Sequence, residues 1–368
     1  MQTNRRIWLK QISLASAAVG FSSLKTFSFP AKPAVDDPSY EPIHLSTNEN
    51  PYGPSASARA AMTEAQNINR SNRYNWSNTT NLIAAIAKKN NVTYDNILLG
   101  AGSTLIIDLV VQLAAQKKGT FILADPTFNN WTKVAEQLEM KKIAVPLTSE
   151  KRHNLPAMLN AMQPDTRMIY VCNPNNPTGT VCNRDELITF INAATKKTIV
   201  LVDEAYIEYS DQQSVSELVL ENKNLIVVKT FSKIYGLAGG RIGYAVAHTD
   251  TIHQLNQYQA MPDAGVSIVS AAGALATIKD ENFVKECFAL NEKARKYTIE
   301  QLERIDIPCV PSHTNFIYFS LINYKKDFFA QLQNNLIQGT RVWEENGMWS
   351  RITVGTIEEM QKFITAIK

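Results

Sequence analysis

Between about residues 95 and 247, the chain alternates short apolar runs of strand length with longer amphipathic stretches. Short, nearly all-apolar runs separated by helical patterns are typical of a parallel sheet that helices cover on both faces. The sequence therefore predicts an α/β fold with a mostly parallel sheet. The predicted strands are 96–99, 120–123, 167–172, 198–202, 224–228 and 241–247.

The chain after about residue 266 has a different pattern. Two helical stretches, the second rich in charge, precede short strand-like pieces at 315–319 and 351–354. A final helix is predicted because Thr356 and Glu359 have capping-box spacing and the apolar residues that follow share one face. This part of the chain predicts a smaller α+β domain.

These two patterns divide the chain into two predicted domains. Residues 66–265 are predicted to form the large domain, and residues 36–65 are predicted to join residues 266–368 in the small domain. With 368 residues, 45% of them apolar, the chain is long enough to bury a core in each.

The first thirty residues have a composition of their own. Arg5 and Arg6 precede a short apolar run, 12–21, that is padded with Ser and Ala. The run is shorter than the roughly 20 residues that a membrane-spanning helix needs, and its basic start fits a signal peptide. We predict that residues 1–35 are a twin-arginine export signal, that the processed protein is periplasmic, and that it has no stable membrane association. A disordered basic tail on a cytoplasmic protein is the alternative.

Charge and cysteine content narrow the range of partners. The formal charge of +3 comes from 37 basic and 34 acidic residues without a block of like charge, so we predict no nucleic-acid partner. The sequence contains neither a C-x-x-C pair nor an H-E-x-x-H motif, so we predict no metal site. An oxidising compartment would permit a disulfide between Cys172 and Cys182, and both redox states remain open.

A carboxylate and an amine follow two of the predicted strands. Asp203 comes directly after the strand at 198–202, and Lys233 lies just beyond the strand at 224–228. Open α/β sheets bind ligands at the carboxyl ends of their strands, so both side chains are expected to reach one ligand. A lysine whose pKa is lowered by burial or by a neighbouring cation is a nucleophile.

A glycine loop at 100–104 follows the first predicted strand and begins an apolar helix. The backbone N–H groups at such a helix start bind anions, and Arg241, Thr230 and Ser232 would add a cation and two hydroxyl donors. Each signal alone is weak, because a lone lysine, aspartate or arginine is more often a surface or capping residue. Together they supply the amine, carboxylate and phosphate cradle that pyridoxal 5'-phosphate (PLP) requires.

Ordered motifs carry a family resemblance. They are NENPYG at 48–53, NPNNPTG at 173–179, DEAY at 203–206, SKIYGLAGGR at 232–241 and RITVGT at 351–356. In this order they resemble fold-type I PLP-dependent aminotransferases, and most of all the histidinol-phosphate aminotransferases. The implied activity is transfer of an amino group from an amino acid to a 2-oxo acid.

The resemblance also implies a role for individual residues. Lys233 is the Schiff-base lysine and proton shuttle, and Asp203 pairs with the pyridine nitrogen. Asn176 and Tyr206 bond the ring oxygen, and Phe128 stacks on the ring. The residues implied to hold the cofactor phosphate are Gly102, Ser103, Thr104, Thr230, Ser232 and Arg241.

The same resemblance implies a homodimer, because Tyr74 would reach the phosphate from a second subunit. Arg351 would form a bidentate pair with the substrate α-carboxylate, and Tyr52 would line the substrate pocket.

The sequence departs from the family pattern in two places. Thr104 and Leu105 stand where the family usually has an acidic residue, and Trp343 stands where the histidinol-phosphate enzymes are expected to use an arginine. Arg341 is the alternative to that arginine if the alignment slips. A PLP-dependent decarboxylase or lyase, and a catalytically silent binding protein, remain as rival functions.

Overall fold

The computed structural model describes residues 42–67, 71–74, 76–261, 265–339 and 348–368. Residues 42–368 form one compact unit. The predicted export signal at 1–35 and the two residues Arg341 and Trp343 lie outside the described residues.

The strands lie close to where the apolar runs predict them. The β-strands are β1 (Ile43–His44), β2 (Ile97–Gly100), β3 (Thr120–Asp125), β4 (Lys141–Pro146), β5 (Thr166–Cys172), β6 (Ile199–Asp203), β7 (Leu225–Thr230), β8 (Gly243–Ala247), β9 (Phe316–Ser320), β10 (Ile337–Gln338) and β11 (Trp349–Thr353). The α-helices are α1 (Ala56–Ala65), α2 (Trp76–Lys89), α3 (Ser103–Ala114), α4 (Thr132–Gln137), α5 (Leu155–Asn160), α6 (Arg184–Ala194), α7 (Thr249–Asn256), α8 (Ile268–Ile278), α9 (Glu281–Glu303), α10 (Phe328–Asn334) and α11 (Ile357–Ile367).

A seven-stranded sheet in the order β2-β8-β7-β6-β5-β3-β4 organises the molecule. Strands β3 to β7 pair in parallel, whereas β8 is antiparallel to both of its neighbours. Only a loop joins β7 to β8, and a parallel pair would need a longer crossover connection. The predicted α/β fold with a mostly parallel sheet is confirmed.

One strand of this sheet, β4, is missing from the sequence prediction. It begins with Lys141 and Lys142, and most of its residues are exposed or half-buried because it lies at the edge of the sheet. It therefore lacks the all-apolar run that marks a central parallel strand.

Two hydrophobic clusters cover the two faces of the sheet. Successive residues of β6 point to opposite faces, so Val200 and Val202 join a cluster with α2 and α6, and Leu201 joins a cluster with α3 and α7. This packing on both faces explains why the central strands are apolar along their whole length.

A third hydrophobic cluster surrounds the remaining strands. Strands β9 and β11 pair in antiparallel and β1 pairs with β10 in parallel, and their side chains pack with the final helix α11. The predicted capping box is confirmed, because the Thr356 N–H donates to Glu359 at 2.7 Å and the Glu359 N–H donates to Thr356 at 3.2 Å. The division at residues 65 and 265 into two domains stays a prediction.

The segment at 46–54 crosses from the β9–β11 region to the loop that carries Lys233. Gly236 has φ +70°, and a Cβ built there would lie 2.2 Å from the carbonyl oxygen of Gly53. The Asn50 amide donates to the Ile234 carbonyl at 2.7 Å. Only a glycine allows so close an approach, and it fixes the segment against the lysine loop.

Among the described helices, none is long and apolar enough to cross a membrane.

Candidate active site

The carboxyl ends of three neighbouring strands bring the sequence motifs together. In the register of the sheet, Cys172 at the end of β5 pairs with Asp203, and Asp203 pairs with Val228 in β7. The loops that carry Asn176, Tyr206 and Lys233 leave from these strand ends. They therefore lie at the edge where a parallel sheet binds ligands.

The carboxylate of Asp203 is almost fully buried. The Tyr170 hydroxyl donates to one oxygen at 2.8 Å, and the Ala205 N–H donates to the other at 3.0 Å. Burial raises the pKa of Asp203 to about 6, although these hydrogen bonds and the charge of Lys233 oppose the shift. A carboxylate so desolvated is strongly stabilised by a cationic partner such as a protonated pyridine nitrogen.

The amine of Lys233 lies close to Tyr206. Lys233 Nζ donates to the Thr47 carbonyl at 3.1 Å and lies 5.6 Å from the centroid of the Tyr206 ring. Burial, followed by the guanidinium groups of Arg351 and Arg241, lowers the pKa of Lys233 to about 8, although the charges of nearby carboxylates oppose the shift. Much more of this amine is neutral near pH 7 than of an exposed lysine, as a nucleophile requires.

Arg351 is buried beside Asn176 and the aromatic ring of Phe316. Its guanidinium donates to Asn176 Oδ1 and, at 2.8 Å, to the Ser46 carbonyl, and it lies 5.2 Å from the Phe316 ring centroid. The Tyr206 ring meets the same phenylalanine edge-on, with the centroids 5.0 Å apart. Phe316 therefore packs against both Tyr206 and Arg351, and Arg351 in turn binds Asn176.

The predicted phosphate cradle assembles around Gly102. This residue has φ +82° and precedes the first turn of α3, which begins with Ser103 and Thr104. A Cβ at position 102 would lie 2.5 Å from an Arg241 guanidinium nitrogen, so the glycine makes room for the cation. The Arg241 guanidinium also donates to Ser232 Oγ at 3.4 Å, and the Thr230 hydroxyl donates to that oxygen at 2.9 Å. These groups fit the phosphate of PLP.

A buried ion pair lies next to the ends of β6 and β7. Lys229 Nζ lies 3.3 Å from Glu204 Oε2, and both side chains are nearly inaccessible. Burial lowers the pKa of Lys229, but the Glu204 carboxylate, together with Tyr244 and Glu208, raises it, and the net shift is upward. Because Glu204 follows Asp203 and Lys229 precedes Thr230, the pair links the carboxylate loop to the end of β7.

Three predicted site residues lie outside this cluster of contacts. Phe128 is half-buried against the core cluster that contains Trp131, just after β3. Tyr52 lines a cavity of about 230 Å³ with Arg59 and Cys287 instead of with Arg351, and burial raises its pKa. Tyr74 is 80% exposed. Their predicted roles stay predictions.

The cysteines that might have paired are free. Cys172 and Cys182 are both buried thiols, and burial raises the pKa of Cys182 to about 12. Within the described part of the chain, no group of three or more His, Cys, Asp or Glu residues is arranged to hold a metal ion.

Several site residues escape the sequence prediction. Tyr170 holds Asp203, Asn48 donates to the Tyr206 hydroxyl at 3.0 Å, and Phe316 packs against both Tyr206 and Arg351. Asn48 belongs to a motif that the resemblance already contains, but its partner is 158 positions away. Tyr170 gives only a faint signal, as a tyrosine inside an apolar strand.

A buried carboxylate and an activated lysine beside an anion cradle, on a mostly parallel sheet, define a PLP-dependent enzyme of fold type I. The chain belongs to the aminotransferase class I and II family, whose sequence pattern matches residues 40–367. It is a PLP-dependent aminotransferase, and the resemblance inferred from its motifs is confirmed.

Known relatives extend this likeness over most of the chain. A histidinol-phosphate aminotransferase from Moorella thermoacetica is 34% identical over 331 residues, which cover 89% of this chain and 84% of that protein. One from Caldicellulosiruptor saccharolyticus is also 34% identical and covers 89% of this chain and 91% of the relative. The solved histidinol-phosphate aminotransferase from Sinorhizobium meliloti, in complex with pyridoxal-5'-phosphate, shares the fold with a TM-score of 0.81 at 22% identity, covering 95% and 98% of the two chains.

The burial of Asp203 predicts that this residue lowers the free energy of unfolding of the cofactor-free protein by an amount that depends on pH. Because its folded pKa of about 6 exceeds the ordinary value of 3.8, the folded state binds more protons between these values, and its stability falls as the pH rises through that window. Asp203→Asn should therefore stabilise the cofactor-free protein at pH 7.5 by up to about 3 kcal/mol, and by almost nothing at pH 4. Urea unfolding at both values measures the effect, with the exposed Asp95→Asn as the matched control. A variant less stable than the wild type at pH 7.5 would show that the buried charge is not costly.

Proposed function

We propose that this aminotransferase exchanges an amino group between an α-amino acid and a 2-oxo acid, with Lys233 as both the cofactor-binding amine and the proton carrier. The observation that carries the proposal is the position of this lysine. Its amine lies beside the Tyr206 ring, and burial and two arginines lower its pKa to about 8. A base with a pKa near the operating pH is the most effective at moving protons.

The residues around Lys233 have separate roles in holding the cofactor. When bound, PLP supplies an electron sink for the substrate's α-carbon. Asp203 would hold the proton on the ring nitrogen, and Asn176 and Tyr206 would orient the ring oxygen. The α3 N terminus with Ser232 and Arg241 would anchor the phosphate. Lys233 Nζ would accept the proton from the substrate's α-carbon and pass it to the cofactor, which would keep the amino group when water releases the 2-oxo acid.

Arg351 gives the substrate its orientation. Its guanidinium is buried and fixed by Asn176 and the Ser46 carbonyl, which suits bidentate binding of a carboxylate. Trp349 lies two residues earlier in β11, on the same face, and its ring stacks on Tyr318 with centroids 5.1 Å apart. Tyr318 is buried, and Lys151 Nζ lies 4.4 Å from the Trp349 ring centroid, so within this pair only the half-buried Trp349 can contact a substrate. Its indole is the feature that supports an amino acid with an aromatic side chain as the donor.

The relatives are named for histidinol phosphate, and one sequence feature and the proposed export favour a different substrate for this chain. Trp343 stands at the position where we expect the arginine of those enzymes, and an exported enzyme would be separated from histidine biosynthesis in the cytoplasm. Histidinol phosphate should therefore be tested as an alternative amino donor alongside the aromatic amino acids.

The visible absorbance of the purified protein tests the proposal directly. We expect the PLP-loaded wild type to show the band of a lysine-bound cofactor, and L-phenylalanine or L-tyrosine to convert it to that of the aminated cofactor with release of the 2-oxo acid. Lys233→Ala should lose the lysine-bound band and at least 100-fold in turnover, on the order of the usual contribution of a general base. The exposed Lys196→Ala is the matched control.

Three results would contradict it. Full turnover by Lys233→Ala would remove the lysine from the mechanism. Conversion by histidinol phosphate alone would overturn the aromatic donor, and release of carbon dioxide would indicate a decarboxylase.

We propose further that the enzyme works as a homodimer in which Tyr74 completes the partner's phosphate site. Its side chain is 80% exposed, which leaves it accessible to a second subunit. Mixing inactive Tyr74→Ala and Lys233→Ala subunits should restore activity, because one site of each hybrid dimer combines an intact lysine with an intact tyrosine. If Tyr74 acted within its own subunit, both sites of the hybrid would stay defective and the mixture would remain inactive.

We also propose that residues 1–35 direct export through the twin-arginine route. The family pattern matches residues 40–367, so the basic and apolar segment lies before the part of the chain that this pattern describes. The double change Arg5→Lys and Arg6→Lys should retain the protein in the cytoplasm of a bacterium with this route, while the wild type and a Lys10→Arg control reach the periplasm. Equal amounts of wild type and double variant in the periplasm would disprove the signal.

A further inference from the structure

Asn48 connects the Tyr206 hydroxyl to the strand that carries Arg351. It is 1% exposed and has φ +56°, and its carbonyl accepts a hydrogen bond from the Asn315 amide at 3.0 Å. A buried non-glycine residue in this backbone conformation needs such contacts to hold it in place. The side chain is therefore fixed between β11 and the loop that follows β6.

The hydroxyl of Thr353 determines the orientation of the Asn48 side-chain amide, that is, whether its oxygen or its nitrogen faces Tyr206. Thr353 Oγ1 accepts the backbone N–H of Asn48 at 2.9 Å and donates its only proton to Asn48 Oδ1 at 3.1 Å. The amide oxygen is thus committed to the threonine, so the amide nitrogen faces Tyr206. This nitrogen donates to the Tyr206 hydroxyl oxygen at 3.0 Å.

A tyrosine hydroxyl that accepts a hydrogen bond from one side has its single proton left for another acceptor. We propose that Asn48 and Thr353 are positioning residues that turn the Tyr206 hydroxyl into a donor aimed at the ring oxygen of the cofactor. This inference rests on the proposed contact between Tyr206 and that oxygen. Neither residue needs to touch the cofactor, because both act through the tyrosine.

The arrangement ties substrate and cofactor recognition to one strand. Thr353 lies two residues after Arg351 in β11, on the same face. The strand that holds the substrate arginine therefore also sets the direction of the Tyr206 proton.

The consequence is electrostatic and can be measured on the bound cofactor. A hydrogen bond donated to the ring oxygen stabilises its anionic form, which in turn lowers the affinity of the neighbouring lysine-bound nitrogen for a proton. Losing the donor should raise the pH at which the visible absorbance of the bound cofactor changes. The loss of one hydrogen bond corresponds to roughly 0.5–1 pH unit.

The experiment is a spectroscopic pH titration of the PLP-loaded enzyme. We expect Tyr206→Phe to raise the midpoint, and Thr353→Val, which removes the hydroxyl with little change of shape, to raise it in the same direction. Thr353→Ser keeps the hydroxyl and should return the midpoint to the wild-type value. In the double variant Tyr206→Phe/Thr353→Val, the midpoint should equal that of Tyr206→Phe alone, because Thr353 has no tyrosine proton left to orient.

The outcomes separate this inference from the proposed function. A midpoint that Tyr206→Phe moves but Thr353→Val does not, or additive shifts in the double variant, would overturn the positioning role and leave the Tyr206 contact intact. A midpoint unmoved by Tyr206→Phe would overturn both. If Thr353→Val does not fold, Asn48→Asp tests the same step when it is made both in the wild type and in Tyr206→Phe. The added charge acts in both backgrounds, so a larger shift in the wild type reports the redirected tyrosine proton, and equal shifts would overturn the positioning role.

Discussion

The buried carboxylate of Asp203 is the group around which the site is built. Desolvation disfavours its charge, while Tyr170 and the Ala205 N–H, both donors, stabilise it without neutralising it. A cationic ligand that donates a hydrogen bond stabilises such a carboxylate most strongly. The sheet makes this possible, because the carboxyl end of a central parallel strand lies in the interior and faces the crevice where such sheets bind ligands.

Three cationic side chains complement that carboxylate. Lys233, Arg241 and Arg351 come from the β7–β8 loop and from β11, and the two arginines both lower the pKa of the lysine. A site with this excess of positive charge attracts ligands with a phosphate and a carboxylate, and it keeps the lysine amine reactive. The same electrostatic arrangement therefore serves cofactor binding, substrate binding and proton transfer.

The central sheet and the main site residues could be predicted from the sequence, because both depend on local patterns. Apolar runs marked the buried strands, and Asp203 and Lys233 followed strand ends directly. The edge strand β4 could not be predicted, since its exposed face permits the polar residues that conceal a strand. Asn48 and Thr353 could not be paired either, because 305 positions separate them and no local pattern records their contact.

The distance in sequence between Asn48 and Thr353 also determines how much of the chain must be synthesised before the site is complete. The segment at 46–54, held by Gly236 and Asn48, is among the first parts of the folded unit to be synthesised, and β11 is among the last. Because β11 supplies both Arg351 and the Thr353 contact, a chain that ends before β11 lacks the substrate arginine and the group that orients Asn48. The sequence that encodes Asp203 and Lys233 is therefore not sufficient for a complete site.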